Sequence, residues 1–198
     1  MAGLAGVLLH GRNRTPEDMI EIANRLHIDG MRWLAPAAES GSWYPHRFME
    51  PVSSNEPFLT NAIDRCHQAV EDAREGGRLA PGQIVVLGFS QGACLAVEYA
   101  LRRPESCRTL IVFTGGLIGP AGTAWRPSTG NLDGLRVLIT GSDIDEWVPE
   151  ARVRETASVM SSFGADVRMR LYKNRPHVVS DDEIDEARTF ICQIKQSD

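Results

Sequence analysis

Apolar positions along the chain fall into two alternating kinds of run. Short apolar blocks of strand length occupy Leu4 to His10, Met31 to Ala35, Ile84 to Phe89, Thr109 to Phe113, Arg136 to Thr140 and Val167 to Tyr172. Between them apolar residues recur at helical spacing. Met19, Ile22, Ala23 and Leu26 share one face, Leu59, Ala62, Ile63, Cys66, Ala69, Val70 and Ala73 share another, and Ala93 to Leu101 and Ala151 to Phe163 follow. The last helix presents Ile184, Ala187, Ile191 and Ile194 inward. Boundaries are marked by capping sequences at Thr15-Pro16-Glu17-Asp18, at Ser53 with Glu56, and at Ser180 with Glu183, and Gly76-Gly77 stops the second helix. Strands alternating with helices build a doubly wound α/β fold, a mainly parallel sheet with helices on both faces. Chemistry in such sheets gathers at the carboxyl ends of the strands.

The chain has 198 residues, which fits one domain spanning 1–198 with no linker or repeat. Its formal net charge is -5 and it has no block of consecutive basic residues, so neither a nucleic acid nor an anionic membrane is an expected partner. The apolar start, Leu4 to Leu9, has no basic lead and reads as a strand; no run approaches the ~20 residues that cross a bilayer. Cys66, Cys94, Cys107 and Cys192 are scattered without zinc-type spacing, as expected of buried thiols in a cytoplasmic protein that holds no metal.

One pentapeptide changes the picture. Gly88-Phe89-Ser90-Gln91-Gly92 follows an apolar strand directly and opens a helix. A serine hydroxyl is a weak nucleophile unless a sharp strand-to-helix turn holds it clear of the backbone beside a base. Glycines flank it because a Cβ would collide with the neighbouring elements, and Gly92, Ala93 and Ala96 let the helix lie close to the sheet.

A serine nucleophile needs a histidine base, and the histidine needs a carboxylate to fix its tautomer. His27 and His67 fall within helical patterns, His46 sits in a loop that position does not exclude, and His10 ends the first strand, which suits a supporting role. His177 lies between the last strand and the last helix, on the same rim as Ser90, and is the candidate base. The carboxylate is expected after the strand ending at Thr140, where Asp145 is preferred to Asp143, which can instead cap the turn, with Glu146 third. Charge developing on a carbonyl oxygen needs preset donors. The Gln91 and Arg12 N–H groups are the candidates, and the Arg12 side chain is either part of the site or a plain solvent-facing cation.

With these residues in place the chain resembles the α/β-hydrolase superfamily, and within it the phospholipase/carboxylesterase family that includes acyl-protein thioesterases. The resemblance runs through Leu8-Leu9-His10-Gly11, the Gly-Phe-Ser-Gln-Gly elbow, Asp143 to Pro149 and His177. It implies a triad of Ser90, Asp145 and His177, an oxyanion hole of Arg12 and Gln91 N–H groups, and hydrolysis of carboxylic esters or thioesters with no cofactor. The chain departs from the family at Pro176, where glycine is usual, at Glu146, where proline is common, and at Arg12, where an apolar residue or glycine is frequent. The last departure puts a positive charge at the mouth and favours an anionic substrate.

Two long loops leave strand carboxyl ends, one with Trp43, Tyr44 and Phe48, the other with Leu117, Ile118 and Trp125. Their apolar side chains either form a substrate pocket over Ser90 or pin the loops to the body. No insertion has the size of a cap domain, so a shallow site for small to medium ester substrates is expected. The exposed apolar loops also point to a homodimer.

Overall fold

A computed structural model describes residues 3–75 and 78–194. Its frame is β1 (Leu4–Leu9), α1 (Pro16–Leu26), β2 (Met31–Leu34), a short α2 (Val52–Asn55), α3 (Phe58–Ala73), β3 (Ile84–Phe89), α4 (Gln91–Arg102), β4 (Thr109–Phe113), β5 (Arg136–Ser142), α5 (Glu150–Ser162), β6 (Asp166–Tyr172) and α6 (Asp181–Cys192). The six strands form one sheet in the order β2-β1-β3-β4-β5-β6. Every pairing is parallel, so the sheet is wholly rather than mainly parallel.

All residues of β1, β3 and β4 are buried, which explains their unbroken apolar runs: parallel strands lose water on both faces. One layer, with α3, α4 and α5, buries Val7, Leu9, Val86, Leu110, Val112 and Ile139. The opposite layer, with α1 and α6, buries Leu8, Val85, Leu87, Ile111 and Leu138. The expected inward faces of α1 and α3 are the buried ones. In α6, Ile184, Ala187 and Ile191 are buried, and Ile194 packs half-buried just beyond the helix.

Chain order matters most at β1. The chain steps from β1 outward to β2, then returns to lay β3 on the other side of β1. The connections after β1 and β3 therefore diverge, and a crevice opens between the ends of these two strands. Leu9 pairs with Gly88 there, so the turn after β1 faces the turn that carries Ser90.

The second capping box is not where the sequence places it. Ser53 lies within the short α2, and the long helix begins only at Phe58. Pro57 disfavours helical backbone at Glu56, which is extended at φ -82 and ψ 150. Glu56 instead caps the longer helix, its carboxylate accepting from the Thr60 N–H at 3.0 Å. That helix ends at Ala73, and the expected Gly76-Gly77 stop lies outside the described residues. No helix among the described residues is long and apolar enough to cross a membrane.

Candidate active site

Ser90 sits between β3 and α4 with φ 55 and ψ -118, a conformation that a residue with a Cβ rarely adopts. Neighbouring backbone holds it: the Ser90 N–H donates to Phe113 O at 3.0 Å, and the Ser90 carbonyl accepts from Cys94 N–H at 3.0 Å. The glycines on either side have a steric cause. A Cβ on Gly88 would stand 2.3 Å from Gly92 O, and one on Gly92 would stand 2.0 Å from Leu9 O. With both positions bare, α4 closes on β1 and β3 tightly enough to lift the Ser90 side chain out of the sheet's edge.

His177 and Asp145 meet this hydroxyl from loops far away in sequence. His177 Nε2 lies 2.9 Å from Ser90 Oγ, and His177 Nδ1 lies 2.8 Å from Asp145 Oδ2. Asp145 is fixed by its other oxygen, Oδ1, which accepts from the Trp147 and Val148 N–H groups at 2.9 Å each. Burial pushes the Asp145 carboxyl up, but the bonds from His177, Val148 and Trp147, with the His177 charge, outweigh it and hold the group below the usual carboxylate range. Asp143 has a different task. Its Oδ1 accepts from the Asn174 N–H at 2.8 Å, tying the loop after β5 to the loop that carries His177. Glu146 is exposed at the rim.

Pro176 does not displace the histidine. The Val178 N–H folds back to Pro176 O at 2.8 Å, and the preceding Arg175 is buried under the loop. Its guanidinium donates to the carbonyls of Pro176 and Val178, donates to Thr114 Oγ1 at 2.8 Å, and lies 3.3 Å from the buried Glu183 carboxylate. Glu183 also accepts from Thr140 Oγ1 at 2.5 Å and from the Ser180 N–H that starts α6. The sequence showed Glu183 as a capping residue; nothing local showed that the same carboxylate anchors the histidine loop. The His177 ring leans on Phe89, with centroids 5.1 Å apart.

The other histidines lie elsewhere. His10 is buried, its Nε2 accepting from Ala38 N–H at 3.0 Å, and so supports the loop after β2. His27 caps the end of α1, His67 Nδ1 is 3.1 Å from the Tyr99 hydroxyl, and His46 is exposed.

On the opposite side of Ser90 runs the turn after β1. A Cβ on Gly11 would be 3.3 Å from Ser90 Cβ, so this turn passes directly against Ser90. Gln91 is the first residue of α4, where the helix offers its N–H no acceptor. The side chains of the two expected donor residues serve the neighbouring loop. Gln91 Oε1 accepts from Trp43 N–H at 3.1 Å, and its Nε2 donates to Tyr44 O at 2.8 Å. The Arg12 guanidinium clamps the carbonyls of Tyr44, Pro45 and His46 at 2.7 to 2.9 Å, so it is not a plain solvent-facing cation.

A cavity of about 350 Å³ opens over this cluster, lined by residues that include Ser90, His177, Tyr44, Phe48, Met49 and Trp147. Of the four side chains expected to contact substrate, Phe48 lines it and Trp43, Leu117 and Trp125 do not. Trp43 is buried, donating through Nε1 to His10 O at 2.8 Å. Leu117 and Ile118 are fully buried, and Trp125 Nε1 donates to Ile118 O at 2.7 Å. Arg152 draws this second loop inward, donating to the carbonyls of Leu117 at 2.6 Å and Gly119 at 2.8 Å. These side chains pin loops, whereas Met49 and Trp147, which sequence reasoning missed, face the cavity. Trp147 had a usable signal, a large apolar residue two positions after Asp145.

Residues 7–195 match the family model described as phospholipase/carboxylesterase. A phospholipase/carboxylesterase from Dyadobacter fermentans is 37% identical, with a TM-score of 0.88 over 96% of this chain and 90% of that one. Two more distant structures share the fold. Esterase PE8 is 24% identical with TM-score 0.80, over 98% of this chain and 93% of that one. SOBER1 from Arabidopsis thaliana is 19% identical with TM-score 0.77, over 98% and 99%. Among curated proteins none matches the sequence. With family and architecture in agreement over nearly its whole length, the chain belongs to the phospholipase/carboxylesterase family of esterase-type hydrolases.

Proposed function

We propose that the protein is a serine hydrolase that cleaves carboxylic esters of small to medium acyl chains through an acyl-enzyme. The observation that carries this reading is the continuous hydrogen-bonded chain from Ser90 Oγ through His177 to Asp145. His177 Nε2 takes the Ser90 proton as Oγ attacks the substrate carbonyl carbon, and Asp145 stabilises the imidazolium. The Gln91 and Arg12 N–H groups receive the oxyanion, a role supported by their placement on the two turns that flank Ser90. The tetrahedral species collapses, the imidazolium gives its proton to the departing alkoxide, and an acyl-Ser90 ester remains. Water then attacks that ester with His177 again as base, releasing the acid and restoring the serine.

The 350 Å³ cavity has room for a short acyl chain beside Phe48 and Met49. Thioesters and lysolipids present the same carbonyl to Ser90, so a substrate panel sorts them. A cytoplasmic setting is supported by four free cysteines, three of them buried. Hydrolysis of p-nitrophenyl acetate and butyrate by the wild type and by Ser90→Ala tests the mechanism. The variant should lose about 10⁴-fold or more in turnover, and a fluorophosphonate should label the wild type once, at Ser90. Equal rates for the two proteins would remove Ser90 from the reaction.

A further inference from the structure

The chain carries a net charge of -5, yet the charged side chains that line the cavity, apart from the titratable His177, are Arg12, Arg14 and Arg47 against a single Glu146. Arg14 has Asp18 at 4.0 Å, and the Arg12 guanidinium is occupied by three loop carbonyls. Arg47 differs from both. Among the described residues its guanidinium has neither a carboxylate nor a carbonyl partner, although surface arginines such as Arg32, Arg103 and Arg154 each stand against an acid. It immediately precedes Phe48 and Met49 on the cavity wall, in a loop that Arg12 and Gln91 hold rigidly. An unpaired cation on a hydrogen-bonded loop, lining the same cavity as Ser90, is a binding group for an anion.

The direction of proton transfer says which half of the ester meets it. The leaving oxygen must lie next to His177 Nε2, and a second groove of about 210 Å³ continues from His177 and Phe89 past Arg14, Asp18, Glu21 and Arg25. That groove carries both signs of charge and suits a polar or neutral alcohol. The acyl part is then left to the side bearing Phe48, Met49 and Arg47. We infer that the site prefers esters whose acyl chain ends in a carboxylate, half-esters of short dicarboxylic acids, with the Arg47 guanidinium as the group that recognises the distal charge. The inference rests on the serine-hydrolase reading above.

The test compares p-nitrophenyl hemisuccinate with p-nitrophenyl butyrate, which share a leaving group, and adds the butyryl ester of 4-hydroxybenzenesulfonate, which carries its charge in the alcohol. For Arg47→Gln the ratio of kcat/KM for hemisuccinate to that for butyrate should fall about fivefold, the scale of an exposed ion pair. Arg47→Lys should restore most of that ratio, and raising salt to about 0.5 M should lower the wild-type ratio by screening. A ratio unchanged by Arg47→Gln overturns the inference and leaves the hydrolase reading intact. A change confined to the sulfonate ester overturns it too, moving the anion to the alcohol side. Failure of the wild type to hydrolyse any of the three esters overturns the hydrolase reading and this inference with it.

Discussion

Arg175 and Glu183 form a buried ion pair, 3.3 Å apart, directly beneath the loop that presents His177 to Ser90. The pair is expensive to break, because either charge left alone would stay buried without its opposite charge. Glu183→Leu should therefore destabilise the protein by about 3–5 kcal/mol. Replacing both, Arg175→Met with Glu183→Leu, should cost less than the single change, since two apolar groups leave no orphaned charge. Denaturant unfolding of the three proteins measures this; a double variant less stable than Glu183→Leu would contradict it and place the weight of Arg175 on its bonds to Thr114 and the loop carbonyls.

Asp145 is expected to act through His177 in two separable ways. Asp145→Asn should lower kcat by about 10⁴-fold, since an amide can favour the wrong imidazole tautomer. Because the native carboxyl is held below its ordinary value of about 3.9, it stabilises the fold above that value and the contribution is lost as pH falls through the lower, native one. The stability gap between wild type and Asp145→Asn should therefore be widest near neutrality and shrink in acid. A gap independent of pH would contradict the shift.

The elbow glycines make a steric prediction with an internal control. Gly92→Ala would place a methyl 2.0 Å from Leu9 O and 2.6 Å from His10 O, both backbone atoms that cannot swing away. Destabilisation of about 3 kcal/mol or more is expected, with loss of activity. Gly82 is exposed, is not held at positive φ and has open space around its would-be Cβ, so Gly82→Ala should be neutral or stabilise by about 0.5 kcal/mol. Thermal unfolding of the pair separates sterics from a general glycine effect.

Two tryptophans should exchange the roles that their positions in sequence suggest. Trp147 lines the cavity and is 59% exposed, so Trp147→Ala should raise KM for longer acyl esters while changing stability by no more than about 0.5 kcal/mol. Trp43 is buried and bonded to His10 O, so Trp43→Ala should cost about 3–5 kcal/mol. Steady-state kinetics across chain lengths, read beside unfolding midpoints, checks both.

Cys94 borders the cavity yet should be chemically quiet. Burial pushes its thiol up to about 11, against smaller opposing effects from the Gly116 N–H and other neighbours, so little thiolate exists at pH 7–8. Iodoacetamide at that pH should leave esterase activity intact, and rapid inactivation traced to Cys94 by mass spectrometry would contradict this.

The elbow at Ser90 is legible in the sequence because its signal is local: a strand, a turn with two glycines and a helix occupy consecutive residues, and each has a steric reason. The same holds for the inward faces of α1 and α3 and for the cap of α6 at Ser180 and Glu183. The start of α3 departs from the Ser53–Glu56 box because Pro57 disfavours helical backbone at Glu56, so the long helix begins only at Phe58.

The rest was not legible because it depends on contacts between distant segments. Position favours Asp145 over Asp143, but only the folded loop shows that Asp145 reaches His177 while Asp143 bonds to Asn174. Trp43 and Trp147 look alike as apolar loop residues, but the Gln91 side chain draws one loop inward and the Asp145 carboxylate turns the other toward the cavity. Periodicity, caps and the elbow act within a few residues of chain, so the order of residues determined the layers, the sheet and the serine. How His177 and Asp145 are held against that serine, and which loop side chains face the cavity, is set by hydrogen bonds and ion pairs spanning tens of residues, and the tertiary structure decided both.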